Sequence, residues 1–267
     1  MDYKYDEENY AKLIIKEGFQ SGFIKYELLV MVKYLKKIGK KKKETVEFIY
    51  DFCEKHIEGY NKVKYYKVID GAIRDGRKKN NNLIVVEKID IMKNEMEYID
   101  NLNIEHEYKK ILLTLIVSKK ISMEIHKIQS EDNDIKLSFY FDGTRKKYSE
   151  IFKQSNIVGN YKINDMINDL VDKEIITSVI KGNIILSYAE NIKKGGDIYY
   201  SLLTKDFENV GYVFDYYKGV NKVKMCEGEN CNRLIKGTSN NIKYCNNCAD
   251  KIQFNQKKEW DRLKRER

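Results

Sequence analysis

Four cysteines near the end of the chain restrict its fold more than any other feature. Cys226 and Cys231 form one close pair, Cys245 and Cys248 a second, and the stretch between them is short, basic and rich in Asn and Gly. Thiolates suit zinc, a borderline-soft ion with no d-electron geometry of its own, and two pairs at this separation fit a tetrahedral site. The expected arrangement is a knuckle at each pair, with the excursion between them folded into a hairpin. A helix over 249–266 follows the second pair, which describes a treble-clef zinc module. With four thiolates there is no open position for water, so the zinc, one ion, is expected to be structural. The alternative is two disulfides or four unrelated thiols. Four of the five cysteines fall in this window, and Met1–Glu8 is polar and acidic rather than a secretory leader, which favours metal.

No apolar run is long enough to span a membrane, so a cytoplasmic protein without a membrane partner is expected. The formal charge of +9 is unevenly placed: residues 216–267 carry 13 basic and 6 acidic side chains, net +7, and residues 106–215 carry 16 of each. A basic face attracts polyphosphate by releasing counterions, although a Lys-rich solvated surface has the same composition.

The patterning predicts a mainly α fold with small β elements, an α+β chain in four parts. Residues 1–80 read as a helical bundle. Ser21 is placed to cap a helix with Ile24, Leu28, Met31, Leu35 and Ile38 inward, and Gly39 to stop it. A second helix turns Thr45, Phe48, Ile49 and Phe52 inward, and a third, starting near Asn61, does so with Val63, Tyr66, Ile69 and Ile73. Residues 81–104 form a connector, with a strand over 83–91 and a short helix behind it.

Residues 105–205 read as a winged helix-turn-helix domain. Its parts are an apolar helix over 107–120, a strand over 135–141, helices over 147–155 and 162–173, and a hairpin turning at Lys181-Gly182-Asn183. Lys162, Asn164 and Asn168 on the second helix, with Lys181 and Asn183 on the wing, are the candidate nucleic-acid contacts. Asp165, Asp169 and Asp172 face outward on the same helix and oppose phosphate. Two readings of this domain therefore stay open, DNA binding and protein binding. Residues 206–267 complete the chain as a linker helix and the zinc module. In the terminal helix Ala249, Ile252, Gln256 and Leu263 share a face. Lys257, Lys258, Arg262, Lys264 and Arg265 line the rest, and Trp260 either packs on the module or stacks on a base.

The stretch Asp206, Phe207, Gly211, Tyr212, Tyr216, Lys218, Gly219, followed by Arg233, Leu234, Ile235, Lys243, Tyr244, Cys245, Cys248 and Ala249, carries a family likeness. With the winged helix before it, this part of the chain resembles a group of largely uncharacterised proteins from phages and mobile elements of low-GC Gram-positive bacteria. The likeness covers roughly the last 160 residues. It departs at the first knuckle, where the group has C-x2-C. It implies an origin and an architecture and carries no activity.

No catalytic constellation is legible. His56, His106 and His126 lie in separate elements, Cys53 sits on an apolar helix face, and the acidic loop 131–134 lacks the Gly and distal Glu of a calcium site. Gly195-Gly196 reads as a turn, not a phosphate loop. The expectation is a non-enzymatic nucleic-acid-binding protein, a DNA-binding replication accessory or transcription regulator, with DNA favoured over RNA. The alternative is an adaptor or inhibitor that binds a host or phage protein through the acidic helix face.

Overall fold

The computed structural model describes residues 5–129, 139–237 and 242–265. In chain order the helices and strands are α1 (Glu7–Glu17), α2 (Ile24–Lys37), α3 (Lys42–His56), α4 (Lys62–Gly76), β1 (Lys88–Met92), α5 (Lys93–Asp100), α6 (His106–Gln129), β2 (Tyr140–Phe141), α7 (Arg145–Gln154) and α8 (Ile163–Asp172). There follow β3 (Thr177–Ser178), β4 (Ile184–Ile185), α9 (Ser187–Glu190), β5 (Ile198–Leu203), α10 (Val210–Lys218), β6 (Val223–Met225), β7 (Leu234–Lys236) and α11 (Asn246–Arg265). The described fold is mainly helical with small sheets, and the chain divides into two compact units. One is Met1–Ile89 with Lys120–Ser138; the other is Asp90–Lys119 with Phe139–Arg267.

In the first unit α2 packs on α1, α3 and α4. Its core takes Ile14 from α1, Leu28, Met31 and Leu35 from α2, Ile49, Phe52 and Cys53 from α3, and Ile69 and Ile73 from α4. Gly39 ends α2 as expected, at φ +83, where a side chain would be strained. Asn61 caps α4 by accepting from the Val63 and Lys64 amides. Three expectations are corrected. Ile38, just past the last residue of α2, is exposed, and so are Val63 and Tyr66, since α4 buries the stripe Ile69, Ala72, Ile73 and Gly76. Ser21 does not cap α2; its hydroxyl accepts from the Phe23 amide and donates to Glu27. The strand expected over 83–91 begins only at Lys88, while Val86 donates to the Tyr5 carbonyl, 2.9 Å, ahead of α1.

This unit also buries charge. Lys33 and Glu7 pair at 3.0 Å, almost fully enclosed, and Glu7 also accepts from the Ile84 amide at 2.8 Å. Glu27, fully buried, accepts from Tyr10 and from the Gln20 amide. Each buried carboxylate thus has donors that replace its lost hydration.

In the second unit the part of α6 up to Lys119, then β2, α7, α8, β3 and β4, follow one another, and the strands form an antiparallel sheet in the order β2-β4-β3. Phe141 lies opposite Ile184, and Ser178 opposite Ile184 on the other side. The expected strand over 135–141 is described only from 139 onward; its earlier part, and the acidic loop 131–134, lie outside the described residues. Ile111, Leu112, Leu115 and Ile116 of α6 are buried as expected, and α8 buries Met166, Ile167 and Leu170. β1 pairs with β5 in a separate two-stranded sheet. Among the described residues no helix is long and apolar enough to cross a membrane.

A buried polar cluster ties α6 to α10. Lys110 has no exposed surface; its ammonium donates to the Asn156 carbonyl at 2.7 Å and stands 3.2 Å from Glu107 and 3.3 Å from Asp215. Asp215, equally buried, also meets His106 Nε2 at 2.7 Å and accepts from Asn221 at 2.9 Å. Burial raises the Asp215 carboxyl, but His106, Lys110 and Asn221 outweigh it and hold it below the usual carboxylate range. Close by, α10 approaches the end of α7 so tightly that a Cβ on Gly211 would lie 1.8 Å from the Ser155 carbonyl oxygen. Only glycine fits there. Gly219, at φ +67, then ends α10.

Candidate metal centre

The chain after α10 folds back through β6, passes Cys226 and Cys231, and returns through β7, which pairs antiparallel with β6 from Val223–Lys236 to Met225–Leu234. The hairpin therefore brackets the first cysteine pair. Of the hairpin expected within the excursion between the pairs, the described residues show β7, which pairs with β6; residues 238–241 lie outside the described residues. The second pair stands where α11 begins, Cys245 just ahead of it and Cys248 in its first turn.

All four Sγ atoms lie within 4.8 Å of one another, and Cys231 and Cys245 are 3.8 Å apart. Zinc–sulfur bonds of about 2.3 Å at tetrahedral angles place sulfurs about 3.8 Å apart, whereas a disulfide needs about 2.05 Å. All five cysteines are free. The cage thus has the dimensions of a tetrathiolate site and not those of two disulfides.

Backbone donors support the sulfurs. The Cys245 amide points at Cys226 Sγ from 3.2 Å, and the Gly228 amide does so from 3.4 Å. A Cβ on Gly228 would lie 2.4 Å from Cys248 Sγ, so the first loop closes over the cluster only with glycine there. The two additional residues of the first knuckle are absorbed in a turn: the Cys231 amide donates to the Gly228 carbonyl at 3.1 Å, and Asn230 takes φ +55. Asn tolerates that left-handed conformation better than most residues. Burial pushes the Cys245 thiol up, but the Cys248 amide and the neighbouring thiols outweigh it and bring it down to about 7.

The centre is fastened to the rest of its unit. The β6–β7 pair packs on α10. Arg233 holds the nearly buried Asp206 carboxylate through Nε at 2.7 Å and through its second nitrogen, and Tyr200 donates to the Asn232 carbonyl at 2.7 Å. Asp206, Gly211, Gly219 and Arg233, four residues of the family likeness, thus have structural duties.

Beyond Ile252, every described side chain of α11 is exposed, among them Lys257, Lys258, Arg262 and Lys264; the side chain of Arg265 is outside the described residues. Trp260 is 60% exposed and Phe254 67%, so the packing role open to Trp260 is not realised. Lys264 lies 4.4 Å from the Trp260 ring centre, and Glu259 pairs with Arg262.

The candidates on α8 and the following turn lie apart in kind from these. Lys162, Asn164, Asn168 and Lys181 are exposed. Asn183 is half-buried, and its Oδ1 accepts from the Gly143 amide at 3.1 Å, which makes it a brace between loops rather than an open contact. Of the three aspartates expected outward, Asp169 is drawn aside: it accepts from Tyr108, whose hydroxyl is pushed up to about 12 by that bond and by burial. Asp165 and Asp172 remain exposed. The structure adds Arg145 and Lys146, exposed at the start of α7. Their loop is locked to the turn at Lys181, because Tyr148 donates to the Gly182 carbonyl at 2.7 Å. The run Arg145-Lys146-Lys147, one residue past the Asp142-Gly143 turn, was the available signal for them.

Two of the three histidines serve structure: His106 bonds Asp215, and His56 packs its ring 4.4 Å from that of Phe52. No family model, no curated protein and no solved structure matches this chain.

Proposed function

We propose that this chain is a non-enzymatic nucleic-acid-binding protein of a phage or mobile element, a DNA-binding replication accessory or transcription regulator. The observation that carries the reading is α11. It is a cation-rich helix with no covering partner among the described residues beyond Ile252, and it is held at its first turn by the thiolate cluster. One zinc ion held by Cys226, Cys231, Cys245 and Cys248 would fix the direction in which that helix leaves the domain. We read the knuckle, hairpin and helix as a treble clef. The succession from α6 to β4, with β4 central in its sheet, supports a winged helix whose wing is the turn at Lys181.

Salt dependence tests this. Each phosphate neutralised on duplex DNA contributes about 0.9 to the slope of log affinity against log salt. Replacing Lys257, Lys258, Arg262 and Arg265 together is expected to flatten that slope by roughly three units, short of four full contacts because Arg262 is already paired with Glu259. Replacing Lys162 and Asn168 is expected to weaken binding less, and by amounts that vary with sequence, because those side chains reach base edges. An unchanged slope in the fourfold variant, with binding abolished in the twofold one, would move the site to the winged helix.

A second reading keeps one observation in its favour. Asp165 and Asp172 stay exposed on α8, which suits a basic protein partner better than phosphate. A pull-down from the native host, sorted into nucleic acid and protein, separates the two.

A further inference from the structure

Trp260 is the only tryptophan of the chain, and it stands 60% exposed on its helix, with the ammonium of Lys264 4.4 Å from its ring centre. A large aromatic side chain ordinarily finds cover. Phe254, still more exposed, lies six residues earlier. At 3.6 residues per turn and 1.5 Å per residue, the two rings are about 9 Å apart along the axis and roughly 120° apart around it. Between and beside them stand the exposed cations Lys257, Lys258, Arg262 and Lys264. The opposing carboxylates of this stretch are Glu259, which Arg262 neutralises at 2.6 Å, and Asp261.

Cations interleaved with open aromatic rings are complementary to a strand that carries phosphates on one side and bare base faces on the other. A duplex offers the phosphates but not the faces, since each base is covered by its neighbours in the stack. We infer that α11 binds single-stranded nucleic acid, with Trp260 and Phe254 as stacking platforms and the neighbouring lysines on the backbone. This deepens the reading above, and rests on it, by naming the strandedness of the ligand. Lys264 covers one face of the indole and leaves the other for a base; from there its ammonium also reaches a flanking phosphate.

The single tryptophan makes the test direct. The full chain is titrated, with Trp260 emission as the signal, against oligothymidylate, oligouridylate, a mixed-sequence duplex and inorganic polyphosphate. Saturable quenching by a single strand is expected, with the duplex at least about tenfold weaker. Oligothymidylate against oligouridylate shows whether DNA or RNA is the better source of that strand. Trp260→Ala, read by anisotropy of a labelled strand, is expected to weaken binding by roughly 5- to 150-fold, the range for losing one stacked base, and Trp260→Phe to restore most of it. Because the ring is exposed, neither change should disturb the fold.

Equal affinity for duplex and single strand, or a Trp260→Ala variant that binds the single strand as before, overturns the inference and leaves the nucleic-acid reading standing. No binding to any of the four ligands removes both. An emission change that tracks protein concentration without nucleic acid, alongside self-association, would show that a second copy covers the ring, and overturns it too.

Discussion

Cys245→Ser is expected to cost the chain its metal and to unfold residues 226–248. Structural zinc contributes about 10–16 kcal/mol of apparent binding free energy in small modules, more than their few apolar contacts supply. Here the buried apolar side chains around the sulfurs reduce to Ile235, with Ile242 half-buried. A serine oxygen is a poor substitute for a thiolate, and Cys245 joins the two pairs, its sulfur 3.8 Å from Cys231 and its amide on Cys226. The purified wild-type chain is expected to carry one equivalent of zinc by elemental analysis, and the variant much less. Hydrogen exchange should show protection lost in β6, β7 and the first turn of α11 and kept in α6, α7 and α8, whose core is separate. Metal-free wild-type protein with the four cysteines paired as disulfides would refute the assignment.

Lys110→Met is expected to destabilise the second unit by about 3–5 kcal/mol, because it leaves Asp215 and Glu107 enclosed without their cation. For a unit of this size that is on the order of 10 °C in melting temperature by calorimetry. Replacing Asp215 as well, in a Lys110→Met, Asp215→Leu pair, is expected to recover part of the loss, since an apolar pair carries no desolvation cost. A loss under about 1 kcal/mol in the single variant would mean that water reaches Lys110. The cluster also has a pH signature. Asp215 is held below its ordinary value, so its contribution is complete above the unfolded value of about 3.9 and disappears as pH falls through the lowered folded value. The wild type is therefore expected to lose stability more steeply below about pH 4 than Asp215→Asn does.

The helices and the thiolate cage were readable because each rests on a short-range rule. Helical spacing placed Leu28, Met31 and Leu35 in one core, Gly39 ended α2, and cysteine spacing alone brought four sulfurs to one point. What stayed hidden depends on partners distant in sequence. Lys33, Glu27, Lys110 and Asp215 have the chemistry of surface residues and are buried only because groups many positions away supply their hydrogen bonds. Val63 and Tyr66 fit the periodicity of a buried face but stay exposed, while α4 meets α2 further along, at Gly76, where a Cβ would lie 2.7 Å from the Val32 side chain. Trp260 shows the same limit from the other side. Its helical position was legible, but whether anything covered it depended on where the rest of the domain stood.

The clasp formed by Arg233 on Asp206 and by Tyr200 on Asn232 sets the portability of the zinc-site segment. A graft that begins at Val220, between α10 and β6, would carry Arg233 and Asn232 but leave their anchors behind. It would also expose the face of β6 and β7 that α10 covers. The smallest piece that can be moved between chains as a working part must therefore start before Tyr200, and an exchange of such parts, by recombination or by design, should respect that limit rather than the spacing of the cysteines.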